Sequence, residues 1–518
     1  MKKHGKAVRV AIAGCVTLGL GGWLGLAAQA DGSATAVRVA REWRQTHERQ
    51  IVEEYLSLLR VPNVSGDAEN IRRNADLLLD MMRRRGVNAR LLEQPAAAPV
   101  VYGEIVTPGA TNTYVFYAHY DGQPVDPREW ATPPFDPVLR TARLDKGGAV
   151  ATLPAAGTAL DPEWRIYARS ASDDKAQIFA MLSALDALKA AGLKPRANIK
   201  FIFEGEEEIG SAHLGAVLNA NKSLLQGSLW LMCDGPVHQS GRPTVVFGAR
   251  GIQRLDITVY GPRGELHSGH YGNWAPNPAQ MLAELLASMK DGDGRVRVEH
   301  FYDGVAPLSA LERQAIAAAP GVDAELMRDM WLSRTEGGGK TLAELINLPS
   351  LNIRGFASGH VGAQAANVIP SSATAAIDLR LVKGVGHQQQ AERVVAYIRK
   401  QGYYVTMSEP DEATRLAHPK VAWVAIDSSG YDAVRTPMDL PVVQRVVAAV
   451  RSVRTPIVLQ PTSGGSVPLA TIEDILGVKT ISVPIANYDN SQHSANENIR
   501  LGHFWDGIET QAALLMME

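Results

Sequence analysis

Seven acidic and histidine side chains lie in short segments whose residue types could bind and use metal ions. The segments read HYD, SDDK, GEEEIGS, CDG and QHSANE, and the candidate residues are His119, Asp121, Asp173, Glu207, Glu208, Asp234 and His493. Three segments follow apolar runs typical of buried strands, namely TYVFYA, IKFIF and SLWLMC. Because open α/β sheets place their chemistry at the carboxyl ends of parallel strands, we expect these side chains to converge. A mixed set of nitrogen and oxygen ligands suits zinc, manganese or cobalt. The pattern predicts a two-metal hydrolase site.

Each segment also has a simpler interpretation when it is considered alone. His119 and Asp121 alternate along an extended chain and point the same way, so Asp121 could hold the second ring nitrogen of a metal-bound His119; the triplet also fits a hairpin turn. Asp173 opens a predicted helix, where a carboxylate can bridge two cations or simply cap the helix. The acids at 206–208 follow a strand and are costly there unless a cation neutralises them. Like charges also raise a carboxyl pKa, which suits a general base; the alternative is a solvated acidic turn.

The remaining candidates are single residues with weaker signals. Asp234 directly follows the run SLWLMC, and a carboxylate at the mouth of a buried strand indicates function. His493 lies in a polar loop, where a lone histidine is usually inert. Cys233 is expected to be a small, inert core residue beside the site. With Cys15 as the only other cysteine, a disulfide framework is excluded.

Length and composition limit the class of protein. A chain of 518 residues is too long for one ordinary core, so two or more domains are expected. A hydrophobic content of 46% and a charged content of 20% are typical of a globular protein. The formal net charge of -2, with no basic tract, argues against a nucleic-acid partner.

The first thirty residues have the pattern of an export signal. Four basic residues precede an apolar stretch at 10–28, and Ala28-Gln29-Ala30 is a cleavage motif. We therefore expect residues 1–30 to be removed, with a periplasmic or secreted product and no stable membrane insertion after cleavage. An uncleaved membrane anchor is one alternative, although the many glycines disfavour it. Another is a lipoprotein anchored at Cys15, because Ile12-Ala13-Gly14-Cys15 fits a lipobox.

Hydrophobic periodicity predicts an α/β domain interrupted by a second domain. Helices are predicted at 34–60, 68–86 and 175–191, with strands at 89–92, 100–106 and 113–118. From residue 252 the predicted order is strand 252–260, helix 278–290, strands 351–356 and 373–382, helix 388–401 and strand 403–407. This β-α-β-β-α-β order is typical of a ferredoxin-like domain. Because it lies between Asp234 and His493, the second domain is predicted to be an insertion. Residues 408–436 are predicted to be a polar return linker, followed by helix 442–453 and strand 480–485.

Eight blocks in order resemble those of the M20 metallopeptidase family, most closely its carnosinase-like dipeptidases. They are YAHYDGQPVDPREWATPPFDP, SASDDKA, FEGEEEIGSAHL, LMCDGP, ITVYGPRGELHSGHYGNWAPNP, NVIPSSATAAIDLRLV, GGSVP and QHSANENI. The resemblance covers about residues 45–515. It implies a zinc-peptidase-like catalytic domain, which is a mixed sheet flanked by helices. It also implies an inserted ferredoxin-like lid domain, through which two chains form a homodimer. Together with the export signal at 1–30, the predicted divisions are the catalytic domain at 31–249 and 431–518 and the lid at 250–430.

The resemblance also implies a role for each candidate residue. His119 and Asp234 would bind one metal ion, Glu208 and His493 the other, and Asp173 would bridge them. Glu207 would be the general base, and Asp121 would orient His119. In the lid, His267 would reach a neighbouring subunit's site and steady the oxyanion, and Arg380 would grip the substrate carboxylate. Asn367 and Ser466 match substrate-contacting positions.

The chain departs from the family pattern beside the bridging aspartate. Ala168-Arg169-Ser170 stands where relatives read G-R-G, and Ala176 replaces the glycine of D-D-K-G. Ile209 and Ala495 stand where serine and glutamine are usual. Glycine permits backbone conformations that other residues resist, so the loop beside Asp173 is where the geometry is expected to differ. No departure removes a predicted ligand.

These features predict metal-assisted hydrolysis of an amide bond in a dipeptide or at the C-terminus of a short peptide. Two divalent ions, Zn²⁺ first and Mn²⁺ or Co²⁺ as alternatives, would activate water while Glu207 moves its proton. His267 would donate to the oxyanion, and Arg380 would anchor a carboxylate through paired hydrogen bonds. One alternative is an N-acyl amino acid deacylase, which needs the same metals and the same clamp. A peptide-binding protein that has lost catalysis is a further alternative, disfavoured by the intact Glu207.

Overall fold

The structure, a computed structural model, describes residues 20–465 and 467–518, with side chains described from residue 32 onward. Ser466 and the first nineteen residues of the predicted signal therefore lie outside the described residues. The helices are α1 (Leu20–Leu59), α2 (Ala68–Arg84), α3 (Lys175–Ala190), α4 (Leu214–Ala220), α5 (Ser268–Tyr271), α6 (Pro278–Ser288), α7 (Ala310–Ala318), α8 (Asp323–Asp329), α9 (Leu342–Leu345), α10 (His387–Lys400), α11 (Glu412–Ala417), α12 (Pro441–Val453), α13 (Leu469–Leu476) and α14 (Leu501–Leu515).

The strands fall into three larger sheets and two short pairs. They are β1 (Asn88–Leu92), β2 (Val100–Ile105), β3 (Thr113–His119), β4 (Val138–Arg140), β5 (Val150–Ala151), β6 (Arg165–Tyr167), β7 (Asn198–Glu204), β8 (Leu229–Met232), β9 (Thr244–Val246), β10 (Gly248–Ala249), β11 (Gly251–Tyr260), β12 (Leu266–His267), β13 (Ser350–Ala357), β14 (Val368–Ile369), β15 (Ser372–Leu381), β16 (Tyr404–Thr406), β17 (Val421–Ile426), β18 (Val434–Arg435), β19 (Val458–Gln460), β20 (Thr480–Ser482) and β21 (Asn498–Arg500).

The catalytic part of the chain is built on an eight-stranded mixed sheet. Its strand order is β1-β2-β7-β3-β8-β20-β9-β19, and β3 is parallel to both β7 and β8. Residues of α1, α3, α12 and α14 pack in one core cluster, and residues of α4 and α13 in another. Because helices cover both faces, the central strands are apolar on both sides, as in the fully buried LWLM of β8. The predicted mixed sheet flanked by helices is confirmed.

Helix α3 has an unusual composition that its position explains. Its sequence KAQIFAMLSALDALKA is apolar on nearly all sides, and thirteen of its residues are buried. A helix that is apolar all round must be enclosed, and α3 contacts α1, α14 and β3. Its amino end, directly after Asp173 and Asp174, is thereby fixed against the central sheet.

The inserted segment forms a separate five-stranded sheet with its own core. The order is β13-β15-β11-β17-β16, and β11, β13, β15 and β17 pair only in antiparallel fashion with one another. Residues of α6 and α10 belong to the same core cluster as these strands. Four strands and two helices in this arrangement correspond to the β-α-β-β-α-β pattern of a ferredoxin-like lid.

The prediction for residues 408–436 was wrong. This stretch contains α11 and β17, and β17 is the strand that pairs with β11 as the fourth strand of the ferredoxin-like arrangement. The strand predicted at 403–407 exists as β16, but it lies at the sheet edge, parallel to β17. The sequence VAWVAI of β17 is apolar enough for a strand, and its first two residues are buried. The prediction failed because the charged and polar residues around this short run hid it.

The backbone passes between the two large sheets at a short antiparallel pair. Strands β10 and β18 pair there, so the outgoing and the returning chain lie side by side. A Cβ on Gly248 would lie 2.0 Å from the carbonyl oxygen of Val434, so only glycine permits this close approach. The predicted lid boundaries at 250 and 430 lie next to this crossing and stay a prediction. Within the described residues, none of the helices has the length and apolar character needed to cross a membrane.

Candidate metal centre and active site

Three neighbouring parallel strands deliver candidate ligands to one edge of the main sheet. His119 is the last residue of β3, which lies between β7 and β8. Glu207 and Glu208 follow β7 in a short 3₁₀ turn, Glu207–Ile209, and Asp234 follows β8. Parallel strands end at the same edge, so these side chains meet although more than a hundred residues separate the first from the last.

The five predicted ligands form two groups that share one aspartate. His119, Asp173 and Asp234 offer ligand atoms that all lie within 4.8 Å of one another, and so do Asp173, Glu208 and His493. The two carboxylate oxygens of Asp173 face different histidines. Asp173 Oδ1 lies 2.9 Å from His119 Nε2, and Asp173 Oδ2 lies 3.2 Å from His493 Nε2. His493 Nε2 also lies 3.3 Å from Glu208 Oε2.

The donor chemistry of these groups fits a pair of divalent ions. Each group has one imidazole nitrogen and at least two carboxylate groups, a set that suits Zn²⁺ and related transition metals. Buried carboxylates at such short separation repel one another unless positive charge lies between them. Asp173, with one oxygen directed to each group, is placed to contact both ions.

Two ligands lie on loops that leave a second, four-stranded sheet. Its order is β21-β6-β4-β5; β6 ends just before the loop of Asp173, and β21 begins just after the loop of His493. Because β6 and β21 pair directly, the two loops start side by side. His493 has a φ of 59°, in the left-handed region, which non-glycine residues occupy only when their surroundings impose it.

The departure from G-R-G is accommodated by a specific contact. Ser170 has a φ of 60°, where glycine would be unstrained, and its hydroxyl accepts a hydrogen bond of 2.8 Å from Asn63 Nδ2. The Ser170 hydroxyl fills the space in front of Gly122, where an added Cβ would lie 2.5 Å away. The hydrogen bond from the neighbouring loop therefore helps to hold Ser170 in a backbone conformation that glycine would adopt without strain.

Asp121 does more than the predicted orientation of His119. Its carboxylate is fully buried, and its Oδ1 lies 3.4 Å from His119 Nδ1. The same carboxylate accepts hydrogen bonds from the backbone N–H of Glu207, at 3.1 Å, and of Glu208, at 3.0 Å. The Ser65 hydroxyl donates a third, at 2.7 Å. Asp121 thus connects a candidate ligand to the turn that carries the candidate base.

The three adjacent acids have three different environments. Glu206 points away from the site, where it accepts hydrogen bonds from Ala98 N–H and from His213. Glu208 accepts a hydrogen bond of 2.8 Å from Gln123 Nε2, and burial, with the Asp173 charge, raises its pKa to about 7. Burial also raises the pKa of Glu207 well above its ordinary value, and the charges of Asp234 and Glu208 act in the same direction. A carboxyl group with a raised pKa near ligands is suited to proton transfer.

The electrostatics of the other ligands follow from the same burial. Burial raises the pKa of Asp234 to about 6, with the Asp173 charge as the next cause. Burial opposes ionisation of Asp173 too, but hydrogen bonds from His119 and His493 hold its pKa below the ordinary range. The hydrogen bond to Asp173 raises the pKa of His493 to about 9. Bound cations would favour the ionised carboxylates and the neutral imidazoles.

The predicted residues of the lid lie in two places, a small two-stranded sheet formed by β12 and β14, and strand β15 of the five-stranded sheet. His267 ends β12, accepts a hydrogen bond from Gly269 N–H and contacts His270 with the two rings tilted and their centres 4.5 Å apart. Asn367 directly precedes β14, the partner of β12, and its carbonyl accepts a hydrogen bond from Ser268 N–H. Arg380 lies on β15, where its Nε donates to Asp378 at 3.2 Å. Among the described residues, no hydrogen bond or ion pair joins His267 to the five ligand residues.

Several residues that the sequence analysis did not single out support the site. Asp174 accepts a hydrogen bond from His119 N–H, and burial raises its pKa well above the ordinary value. Glu204 accepts a 2.6 Å hydrogen bond from the Tyr117 hydroxyl. Glu497, four residues after His493, is buried and contacts the loop of Asp173. The doubled acid in SDDK and the acid that ends QHSANE were the available signals, and neither shows by itself which groups it would contact.

Known proteins are similar to this chain along most of its length. The sequence profile of Peptidase family M20/M25/M40 matches residues 115–517. Cys-Gly metallodipeptidase DUG1 of Candida albicans is 25% identical over 498 residues, which cover 90% of this chain and 94% of that protein. Beta-Ala-His dipeptidase of Homo sapiens is 25% identical over 445 residues, covering 81% and 77% of the two chains.

Solved structures share the fold. The M20 family metallo-carboxypeptidase Sso-CP2 from Sulfolobus solfataricus superimposes with a TM-score of 0.74 at 28% identity, covering 90% of this chain and 98% of that one. Human carnosine dipeptidase 1 superimposes with a TM-score of 0.70 at 21% identity, covering 93% and 99%. With a family profile that spans most of the sequence and the two ligand groups already in place, the chain belongs to the M20/M25/M40 family of peptidases.

Proposed function

We propose that this protein is a di-metal-dependent exopeptidase that hydrolyses dipeptides or the C-terminal bond of short peptides. The observation that carries the proposal is the pair of ligand groups that share Asp173, with Glu207 on the adjoining turn. The names of the relatives support it, because they describe a Cys-Gly dipeptidase, a Beta-Ala-His dipeptidase and a metallo-carboxypeptidase. A two-carboxylate, one-histidine environment for each ion favours Zn²⁺, with Mn²⁺ and Co²⁺ as alternatives.

In this proposal His119 and Asp234 would hold one ion, Glu208 and His493 would hold the other, and Asp173 belongs to both ligand groups. When bound, the ions lower the pKa of water and polarise the scissile carbonyl. Glu207 accepts a proton from water and passes it to the leaving amine. Asp121 fixes the backbone of Glu207 and Glu208, so the proton acceptor and the adjacent ligand keep a constant relative position.

The substrate carboxylate is assigned to Arg380. Its guanidinium is about one-third exposed and contacts Asp378, and a planar guanidinium matches the geometry of a carboxylate. Arg250 is close enough that burial, together with the charge of Arg380, lowers its pKa to about 10. A second arginine increases the positive potential for a carboxylate at this position. Asn367 and Ser466 are assigned further contacts with the substrate.

His267 is assigned to the active site of a second copy of the chain. Its own contacts lie within the lid, so it needs a partner subunit if it is to donate to an oxyanion. The free edge of the lid sheet supports a homodimer. Strand β13 is terminal in that sheet, and its Ile353 and Phe356 are 42% and 47% exposed. An exposed edge strand with apolar side chains is a ready surface for pairing with another chain.

Export is proposed from the N-terminal sequence. The predicted cleavage point after Ala30 lies within α1, and the residues that follow it pack onto the catalytic core. The Ser33 hydroxyl donates to the carbonyl oxygen of Ala513, and Ala36 is fully buried. A mature chain starting at Asp31 keeps all of these contacts, and the product would be periplasmic or secreted. Anchoring at Cys15 is the alternative.

The proposal is tested with metal-reconstituted protein and three matched substrates: a free dipeptide, the same dipeptide with an amidated C-terminus, and an N-acetyl amino acid. We expect the free dipeptide to be hydrolysed with the highest kcat/KM, because it offers both the amide bond and the carboxylate. The amidated dipeptide should lose affinity in the wild type. In Arg380→Ala this difference between the two dipeptides should shrink. Preferred turnover of the N-acetyl amino acid would instead identify a deacylase.

A further inference from the structure

Two of the five ligands depend on loops rather than on strand ends, so their relative position needs its own support. Asp173 follows β6 through residues 168–172, and His493 precedes β21 through residues 494–497. The β6–β21 pair brings the loop bases together, and the N–H of Ala168 donates to the carbonyl oxygen of Glu497. Backbone pairing stops there, while the ligand side chains lie several residues further on.

The Glu497 side chain continues the connection where the backbone pairing stops. Its Oε1 accepts hydrogen bonds from Ser172 N–H at 2.8 Å, Ser172 Oγ at 2.9 Å and Asp173 N–H at 2.9 Å. Its Oε2 accepts from Ser170 N–H and from Arg169 Nη1, both at 2.9 Å. The carboxylate is fully buried, and Arg169 is 2% exposed. Five donors around one buried carboxylate satisfy it completely, and three of them belong to the backbone of the Asp173 loop.

We infer that Glu497 is a positioning residue, which ties the loop of Asp173 to the loop of His493 and thereby sets the spacing of the two ion sites. The inference rests on the proposed function, because it concerns how the proposed ligands are held. Asp173 is the residue that both ion sites share, so a shift of its backbone changes both sites together. Carboxylates that fix metal ligands from behind typically affect metal affinity or activity by about 10–100-fold when they are altered.

The left-handed residues in both loops support this assignment. Ser170 lies on one side of the connection, and Ser491, His493 and Asn496 lie on the other, all with φ between 58° and 63°. Such conformations persist only where surrounding contacts impose them. Glu497 contacts the first loop through Ser170 N–H, and it belongs to the second loop itself. Without those contacts, the two loops would lose the restraint that keeps Asp173 and His493 in a constant relative position.

Glu497→Gln is the direct test, because it keeps the size of the side chain but turns one acceptor oxygen into a donor. Whichever way the amide is oriented, its NH₂ group faces at least two donors, and Arg169 loses its counter-charge. Glu509→Gln is the matched control. Glu509 is also a buried carboxylate paired with arginines, Arg41 and Arg44, but it lies on α14 away from the ligands. Ser172→Ala is a milder variant that removes one of the five donors.

Titration of each metal-free protein with Zn²⁺ and with Co²⁺, followed by calorimetry and by the Co²⁺ absorption spectrum, measures the ion sites without relying on activity. We expect Glu497→Gln to bind the ions about 10–100-fold more weakly and with an altered Co²⁺ spectrum. Its KM for a dipeptide at saturating ion should stay unchanged while kcat falls. Glu509→Gln should lower the unfolding midpoint but keep the wild-type isotherm and spectrum. Ser172→Ala should move affinity in the same direction as Glu497→Gln and by less.

Each other result has a definite meaning. If Glu497→Gln and Ser172→Ala both bind ions with wild-type affinity and spectrum, Glu497 only stabilises the fold and the inference is wrong. If Glu497→Gln does not fold, the affinity and spectrum of Ser172→Ala decide in the same way. If the wild-type protein itself binds no divalent ion, the proposed function fails instead, whatever the variants do.

Discussion

Replacement of Asp121 by asparagine should damage catalysis through the backbone of the neighbouring turn. The Asp121 carboxylate is buried and accepts hydrogen bonds from the N–H groups of Glu207 and Glu208 and from the Ser65 hydroxyl. An asparagine has one acceptor oxygen in place of two. Its NH₂ group must therefore face one of the two backbone N–H groups, which leaves that donor without a partner and repels it.

The size of the effect follows from the lost hydrogen bond. A hydrogen bond to a charged group contributes about 1.5–3 kcal/mol, and the buried donor that loses it is penalised as well. If the whole loss raises the activation free energy, the rate falls tenfold for each increase of about 1.36 kcal/mol. The expected decrease in kcat/KM is then about 10- to 150-fold. The decrease should appear mainly in kcat, because the displaced group is the assigned proton acceptor and not a substrate contact.

The assay is dipeptide hydrolysis by fully metal-loaded Asp121→Asn protein, with Ser65→Ala as the graded comparison. Ser65→Ala removes the hydroxyl donor but leaves both backbone hydrogen bonds to Asp121, so we expect a smaller decrease than in Asp121→Asn. Metal content is measured in the same samples, so that loss of ions is not mistaken for displacement of the base. Wild-type kcat/KM in metal-loaded Asp121→Asn, or an equal decrease in both variants, would refute this reasoning.

Three further outcomes are expected. Glu207→Gln should abolish turnover with metal content nearly unchanged, whereas His493→Ala should lower metal occupancy; equal loss of metal in both would show that their roles are misassigned. His267→Ala should lower kcat by about 10²–10³-fold, as loss of one oxyanion donor does. Mixing it with Glu207→Gln should restore some activity through mixed dimers, and no recovery despite demonstrated subunit exchange would remove His267 from the partner's site. N-terminal sequencing of exported protein should begin at Asp31, and a lipidated Cys15 would support the anchored alternative.

The sequence was most informative about the ligands that lie at or just after the ends of strands. His119, Glu208 and Asp234 each follow an apolar run, and β3, β7 and β8 are adjacent and parallel, so strand prediction was sufficient to bring them together. The family resemblance was confirmed by the profile match, which also extends over the segment with His493. Strand ends are predictable because a local apolar pattern determines them and the parallel sheet aligns them.

The parts that sequence reasoning missed depend on contacts between distant segments. The role of Glu497 comes from hydrogen bonds to residues more than three hundred positions earlier, and no local pattern encodes their geometry. The contacts of Asp121 were predictable only in part. Its contact with His119 follows from their spacing in the sequence, but its hydrogen bonds from Glu207 N–H and Glu208 N–H depend on how the distant turn folds. Strand β17 was missed for a different reason: its short apolar run lies between polar residues, and its pairing with β11 joins segments far apart in the sequence.

The most direct test of the central claim is to measure the number of bound ions and the activity in one titration. The protein is stripped with a chelator, divalent ion is added back in steps, and both bound metal and dipeptide turnover are measured at each step. The shared Asp173 and the two ligand groups predict no turnover in the stripped protein and full recovery as about two ions bind per chain. Wild-type turnover in protein shown by elemental analysis to contain no metal would contradict the account.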